Sequence, residues 1–262
     1  MLYDLYVPHP GWLQRLDPRT KLLLVGVGAL LFVAAGGALS LVALVVGLHG
    51  ILRSSQVSWS RLGWVFGQLR WLLAIILLLF PWIAAAPGRS LFEVGPLVVT
   101  DRDLSLAAAT AARVWGMSLL AMALLFTTTQ RELVRALVAL GMPFRWGLTL
   151  AIALRYIPSF ARQAEQIQEA QAARGWDATR GDLFKRLRAL GPVFVALTIH
   201  VFRTVDTLTL ALTARGIGRP APRTDRSPLR MTRRDWIALV IALGLAGAWI
   251  LLNRNVWKVV GF

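Results

Sequence analysis

Arg174 and Arg215 are the residues whose type and setting come nearest to a working site. Each is the middle of an Ala-Arg-Gly triplet, in "QAARGWD" (Gln171 to Asp177) and "LTARGIG" (Leu212 to Gly218), and they stand 41 residues apart. A guanidinium is permanently charged and carries a rigid fork of donors that fits a carboxylate in two parallel hydrogen bonds. The chemistry open to such a pair is recognition of an acidic groove, not the making of bonds. The rest of the chain offers little else. His9, His49 and His200 are scattered with no H-x-x-x-H spacing, and cysteine is absent, which excludes disulfides and thiolate metal sites. No carboxylates cluster at a membrane surface, and no G-x-x-x-x-G-K-[ST] phosphate loop is present. Catalytic, cofactor-binding and metal-binding residues are therefore expected to be none.

The triplets have to be weighed against chance and against helix capping. With 26 Arg and 22 Gly, random order gives about two Arg-Gly pairs, and three occur. Arg-Gly alone thus carries no information. Gly175 and Gly216 suit the left-handed conformation that closes a helix, and an arginine in the last turn suits the negative end of its dipole. Capping does not require alanine before the arginine. Small Ala173 and Ala214 would let another protein approach closely, and two equivalent tips would suit a partner with two equivalent grooves, such as a dimer.

The elements that must position these tips are mostly apolar. Of 262 residues, 56% are hydrophobic and 16% charged, with a mean hydropathy of +0.60, where soluble domains carry about 25% charged residues. A membrane span takes roughly 20 apolar residues. Leu22 to Leu52 holds no charged residue and reads as two spans divided near Gly36-Gly37 and Ser40. Trp71 to Ala86 is a third span, Leu104 to Phe126 a fourth and Trp236 to Leu252 a fifth, with Trp71, Trp82, Trp236 and Trp257 near their ends. The formal charge of +16 follows the same plan. Residues 127–235 hold 18 Lys/Arg against eight acids, the 53–70 loop holds three Arg and no acid, and the 87–103 loop holds two Arg against three acids. The positive-inside rule puts the first two in the cytoplasm with the N-terminus, and the third, where "EVGPLVVTD" suits a short hairpin, outside. Charge so arranged reads as topology and contact with the lipid bilayer, and no nucleic acid is expected as a partner. Arg113 falls inside the fourth span with no acidic partner in sight. Function, or a packing contact with another helix, are both open for it.

The middle region is helical in pattern. Thr129 and Glu132 form a capping box before "RELVRALVAL", which "GMP" (Gly141 to Pro143) ends. A helix from about Trp146 to Arg174 contains Pro158, and another from Leu183 to Arg215 contains Pro192. These prolines are either hinges between helix arms or ordinary breaks. The second helix is apolar enough to mimic a span, but Arg203 and Asp206 interrupt it, and it reads as an amphipathic helix. The fold class expected is an all-α integral membrane protein, with about five transmembrane helices plus a cytoplasmic coupling domain of long amphipathic helices. The division is 1–126 for an N-terminal bundle of about four spans, 127–235 for the coupling helices, and 236–262 for a C-terminal span.

"RLDPRTKLLL" (Arg15 to Leu24), "TTTQREL", "LGMPF", "LRYIPSF" and the two Ala-Arg-Gly endings, in this order and spacing, resemble the transmembrane T component of energy-coupling factor transporters, the EcfT/CbiQ/BioN family. The resemblance runs from about Tyr3 to Trp257. It implies a multi-pass subunit of a prokaryotic cytoplasmic membrane, with no chemistry of its own, that joins two ABC-type ATPase subunits to a membrane-embedded, substrate-binding S component. It implies that Ala173-Arg174-Gly175 and Ala214-Arg215-Gly216 dock into grooves of the ATPases, and that ATP and Mg are bound by those partners. Family members often carry Glu before the second triplet, where this chain has Asp206, so that position's role is open. The cargo implied is a vitamin or a transition-metal ion, chosen by the S component. A self-contained secondary transporter or channel is the alternative; it calls for buried polar residues and inverted repeats, and only Arg113 answers that description.

Overall fold

The computed structural model describes residues 11–55, 58–84, 88–94, 97–175, 190–218 and 229–252. Contacts divide the chain into two units, Met1–Met142 with Leu229–Phe262, and Pro143–Pro228.

In the first unit, Asp17 caps α1 (Pro18–Ala34) by accepting the Arg19 N–H at 2.9 Å. Pro18 follows in the first turn, where its missing N–H costs nothing. Gly36-Gly37 separates α1 from α2 (Ala38–Ser54), as the sequence leads one to expect, and α3 (Trp59–Ala84) follows. The third span is longer than its apolar run. Residues 59–70 are helical, not a loop, so Arg61 and Arg70 belong to α3. The cause is packing: Leu62 and Val65 are buried against Leu119, Ala123 and Phe126, and that burial favours extending the helix. The expected hairpin forms between β1 (Ser90–Val94) and β2 (Leu97–Thr100), antiparallel, with Glu93 opposite Val98. Thr100 then caps α4 (Asp101–Thr127) in a capping box with Asp103.

α4 is the central element, packed against α1, α2 and α3. Its pairing with α1 is antiparallel and close. Lys21 reaches the Thr127 carbonyl at one end, Gly28 faces Leu120, Gly116 receives the Phe32 ring, and Arg113 reaches the far end of α1. α5 (Gln130–Ala139) packs on α1 and opens with the expected capping box, Thr129 with Glu132. It closes on Gly141 at φ 117°, with Met142 N–H donating to the Leu137 carbonyl and Gly141 N–H to that of Val138. That double bond pattern is a Schellman cap.

After the second unit, α6 (Phe144–Ala173) and α7 (Gly191–Ala214), the chain returns to the first as α8 (Arg233–Leu252). Among the described residues, four helices are long and apolar enough to cross a membrane, over Trp59–Leu79, Asp101–Thr127, Gly191–Ala214 and Arg233–Leu251, and Ala38–Ser54 is a shorter apolar helix. The surface is apolar as well: Leu30, Leu39, Leu78, Val240 and Leu251 are all more than 60% exposed. Such a surface is favourable against lipid tails and costly against water, so the chain is an all-α multi-pass membrane protein.

The Asp17 N–H donates to Asp235 Oδ1 at 2.7 Å, so α8 begins at the same end of the first unit as α1. α4 also finishes there, as the Lys21–Thr127 bond shows.

Candidate functional site

Both Ala-Arg-Gly triplets end helices, and in the same way. α6 stops at Ala173 and α7 at Ala214, so each arginine is the capping residue. Arg174 has φ −87° and ψ 7°; Arg215 has φ −83° and ψ 5°. Each following glycine is left-handed, Gly175 at φ 83° and Gly216 at φ 72°. The Gly175 N–H donates to the Ala172 carbonyl and the Gly216 N–H to that of Thr213, both at 2.9 Å. At the second tip Ile217 N–H adds a 3.0 Å bond to the Leu212 carbonyl. Glycine is required because a side chain in this region is strained. The two tips share one backbone template within a turn of each arginine.

What that template presents is charge without a partner. Arg174, Arg215, Ala173, Ala214 and Gly175 are exposed, and neither arginine side chain bonds to a described residue. A helix C-terminus, negative by its dipole, holds a cation favourably. α6 and α7 contact each other within the second unit. The arrangement suits forked recognition of acidic groups on another molecule, and no reacting group stands near it.

The two prolines are placed differently. Pro158 lies inside α6, which continues through it; its ring removes the hydrogen bond that the Leu154 carbonyl would accept. Pro192 is in the first turn of α7, whose N-cap is Leu190, so it stands at a start and not within a helix as a 183–215 span would have it. Residues 183–189 of that span lie outside the described residues. Asp206 is exposed on α7 and bonds to no described residue.

Arg113 finds partners that are not acids. Its Nε donates to the Phe32 carbonyl at 3.0 Å and its Nη2 to the Ala35 carbonyl at 2.8 Å. These carbonyls are at the C-terminal end of α1, where the helix leaves its acceptors unsatisfied. α1 has 17 residues, about 25 Å against a hydrocarbon layer of about 30 Å. The guanidinium satisfies two of these carbonyls, a contact with another helix. Leucine at this position should lower unfolding stability by about 1–3 kcal/mol, the cost of leaving buried acceptors unpaired. Denaturation in a fixed detergent measures it, and wild-type stability would refute the cap.

Sequence comparison adds the relationship. The family model described as CbiQ, cobalt transport protein, matches residues 9–224. The chain is similar to the energy-coupling factor transporter transmembrane protein EcfT of Thermosediminibacter oceani, 32% identical over 96% of this chain and 97% of that protein. It is 30% identical to EcfT of Lacticaseibacillus paracasei over 97% and 98% of the two chains. To that of Bacillus subtilis it is 27% identical, again over 97% and 98%. The chain belongs to the EcfT/CbiQ family, the T components of energy-coupling factor transporters. It is thus a membrane subunit of a transport system. Both triplets fall inside the stretch that the family model matches.

Sequence reading passed over one cluster in this T component. Lys21 is 4% exposed, Asp17 8% and Asp235 1%, all at the shared end of α1, α4 and α8. "RLDPRTKLLL" pointed to the family but hid a buried polar cluster, since Thr127 and Asp235, which Lys21 and Asp17 contact, lie more than 100 residues away.

Proposed function

We propose that the chain is the coupling subunit of an energy-coupling factor importer. It carries ATP-driven motion from two ABC-type ATPase subunits to a membrane-embedded S component, which turns and releases a vitamin or transition-metal ion inward. The observation that supports this reading most is the pair of matching arginine tips on α6 and α7, neither of which bonds to a described residue. Closure of an ATPase dimer would displace both tips together, and two helices in contact would move as one body. In this reading the tips and the N-terminus face the cytoplasm. The chain catalyses nothing and holds no cofactor; ATP and Mg belong to the ATPases. Pro158 gives α6 a point at which to bend under load.

Native mass spectrometry of the complex purified through this chain tests the assignment. Two ATP-binding subunits and one small hydrophobic membrane protein are expected with each copy. Substrate transport by the chain alone in vesicles would overturn it in favour of a self-contained transporter.

A further inference from the structure

The first unit holds more buried charge than its fold requires. Lys21 Nζ donates to the Thr127 carbonyl at 2.7 Å and to the Gln14 carbonyl at 3.1 Å. Asp17, Asp235 and Glu132 surround it as counter-charges. Asp235 in turn accepts the Asp17 N–H at 2.7 Å through Oδ1, and both the N–H and hydroxyl of Thr232 at 2.7 Å through Oδ2. Four stretches of chain meet here: the turn before α1, the first turn of α1, the joint between α4 and α5, and the approach to α8. Hydrophobic side chains of similar size would join them at least as well, since burying charged groups is costly even when they are hydrogen-bonded. A role in specifying position is therefore the better account.

The position specified is that of the two covalent connections to the second unit. The chain leaves the first unit at Met142, just past α5, and re-joins it at Leu229, just before Thr232. Lys21 holds Thr127, where the chain enters the α5 that runs to the first connection. The Asp17 backbone N–H holds Asp235, just past the second. Only three residues, Pro18, Arg19 and Thr20, lie between the two grips.

We propose that Lys21, with Asp17 and Asp235, is a pin that fixes both connections of the second unit to one turn of α1. Force applied to that unit then enters the membrane bundle at one point, and does not dissipate in two loose linkers. Lys21 is a positioning residue and touches no cargo or nucleotide. The mechanical consequence rests on the coupling function proposed above; the pin itself does not, and the full-length chain alone can test it.

Hydrogen exchange on the chain in lipid nanodiscs reads it out. Lys21→Met keeps length and removes charge. Amides of residues 130–139 should then exchange faster by roughly ten- to a hundredfold, as expected when a buried carbonyl loses its donor. Amides of α2 and α3 should not change, and Lys21→Arg should restore most of the protection. Asp235→Asn, of unchanged shape, should loosen 232–239 in the same way and answers the question if Lys21→Met does not fold. Unaltered exchange, or uniform acceleration in every helix, overturns the pin. Co-purification of ATPase subunits separates the two ideas: Lys21→Met should retain them. Their retention by a chain lacking both tip arginines would sink the coupling reading and leave the pin standing.

Discussion

With both Arg174 and Arg215 replaced by alanine, the chain should still enter the membrane and fold, and should no longer capture its ATPase subunits. The fold is spared because both side chains are exposed and bond to nothing described, so truncation leaves no partner stranded within the chain. The loss falls on binding. Truncating one partner of a charge-assisted pair at an interface costs about 2 kcal/mol or more. Two equivalent sites together then weaken capture by roughly a thousandfold. Each single variant should fall between the double variant and wild type. Lysine should restore only part of the affinity, since an ammonium supplies the charge without the fork. Co-purification in mild detergent, with membrane insertion as control, makes the measurement. Capture at wild-type level by the double variant would remove the tips from the docking surface.

The largest effect on folding is expected at Gly116. It faces the Phe32 ring so closely that even a methyl group would overlap ring atoms. Phe32 is 3% exposed and shares its cluster with Ala35, Leu41, Ala109 and Leu120. Alanine should cost about 1–3 kcal/mol through overpacking. Leucine, with three further carbons, should push α1 off α4 and take the Arg113 cap with it, leaving little monodisperse protein. Combining Gly116→Leu with Phe32→Ala should recover part of the yield, because total volume is then nearly kept. Gly244→Leu is the contrasting control: nothing lies near its Cβ position, so the same substitution should be tolerated there. Size-exclusion profiles after extraction compare the three, and a monodisperse Gly116→Leu chain would contradict the close packing.

Features written locally were legible in the sequence. Thr129 and Glu132 announced the start of α5, Gly141 its end, and Gly175 and Gly216 the tips, because a cap is made by residues within a turn of one another. The Gly36-Gly37 division and the β1–β2 hairpin were legible for the same reason. Contacts between distant residues were not. Arg113 was unassigned because its partners are backbone carbonyls of Phe32 and Ala35, and every residue has a carbonyl. Lys21 and Asp235 lie more than 200 residues apart and carry no local signal, and only packing reveals that both are buried at one end of α1. The start of α3 was misplaced by twelve residues because apolarity marks where a helix meets lipid, while Leu62 and Val65 extend it by packing on α4.

The equality of the two helix tips has a consequence for handedness of assembly. A pair of identical ATPases would meet the same cap at either tip and could seat in only one distinguishable way. A pair of different ATPases could seat in two, and the caps alone could not choose between them. The choice would fall to residues that differ around the caps: Gln171-Ala172 before one and Leu212-Thr213 before the other, Trp176-Asp177 after one and Ile217-Gly218 after the other. One tip is thereby acidic just beyond its cap, where the other is apolar. Exchanging those flanks, with both Ala-Arg-Gly triplets untouched, would reverse which subunit sits where.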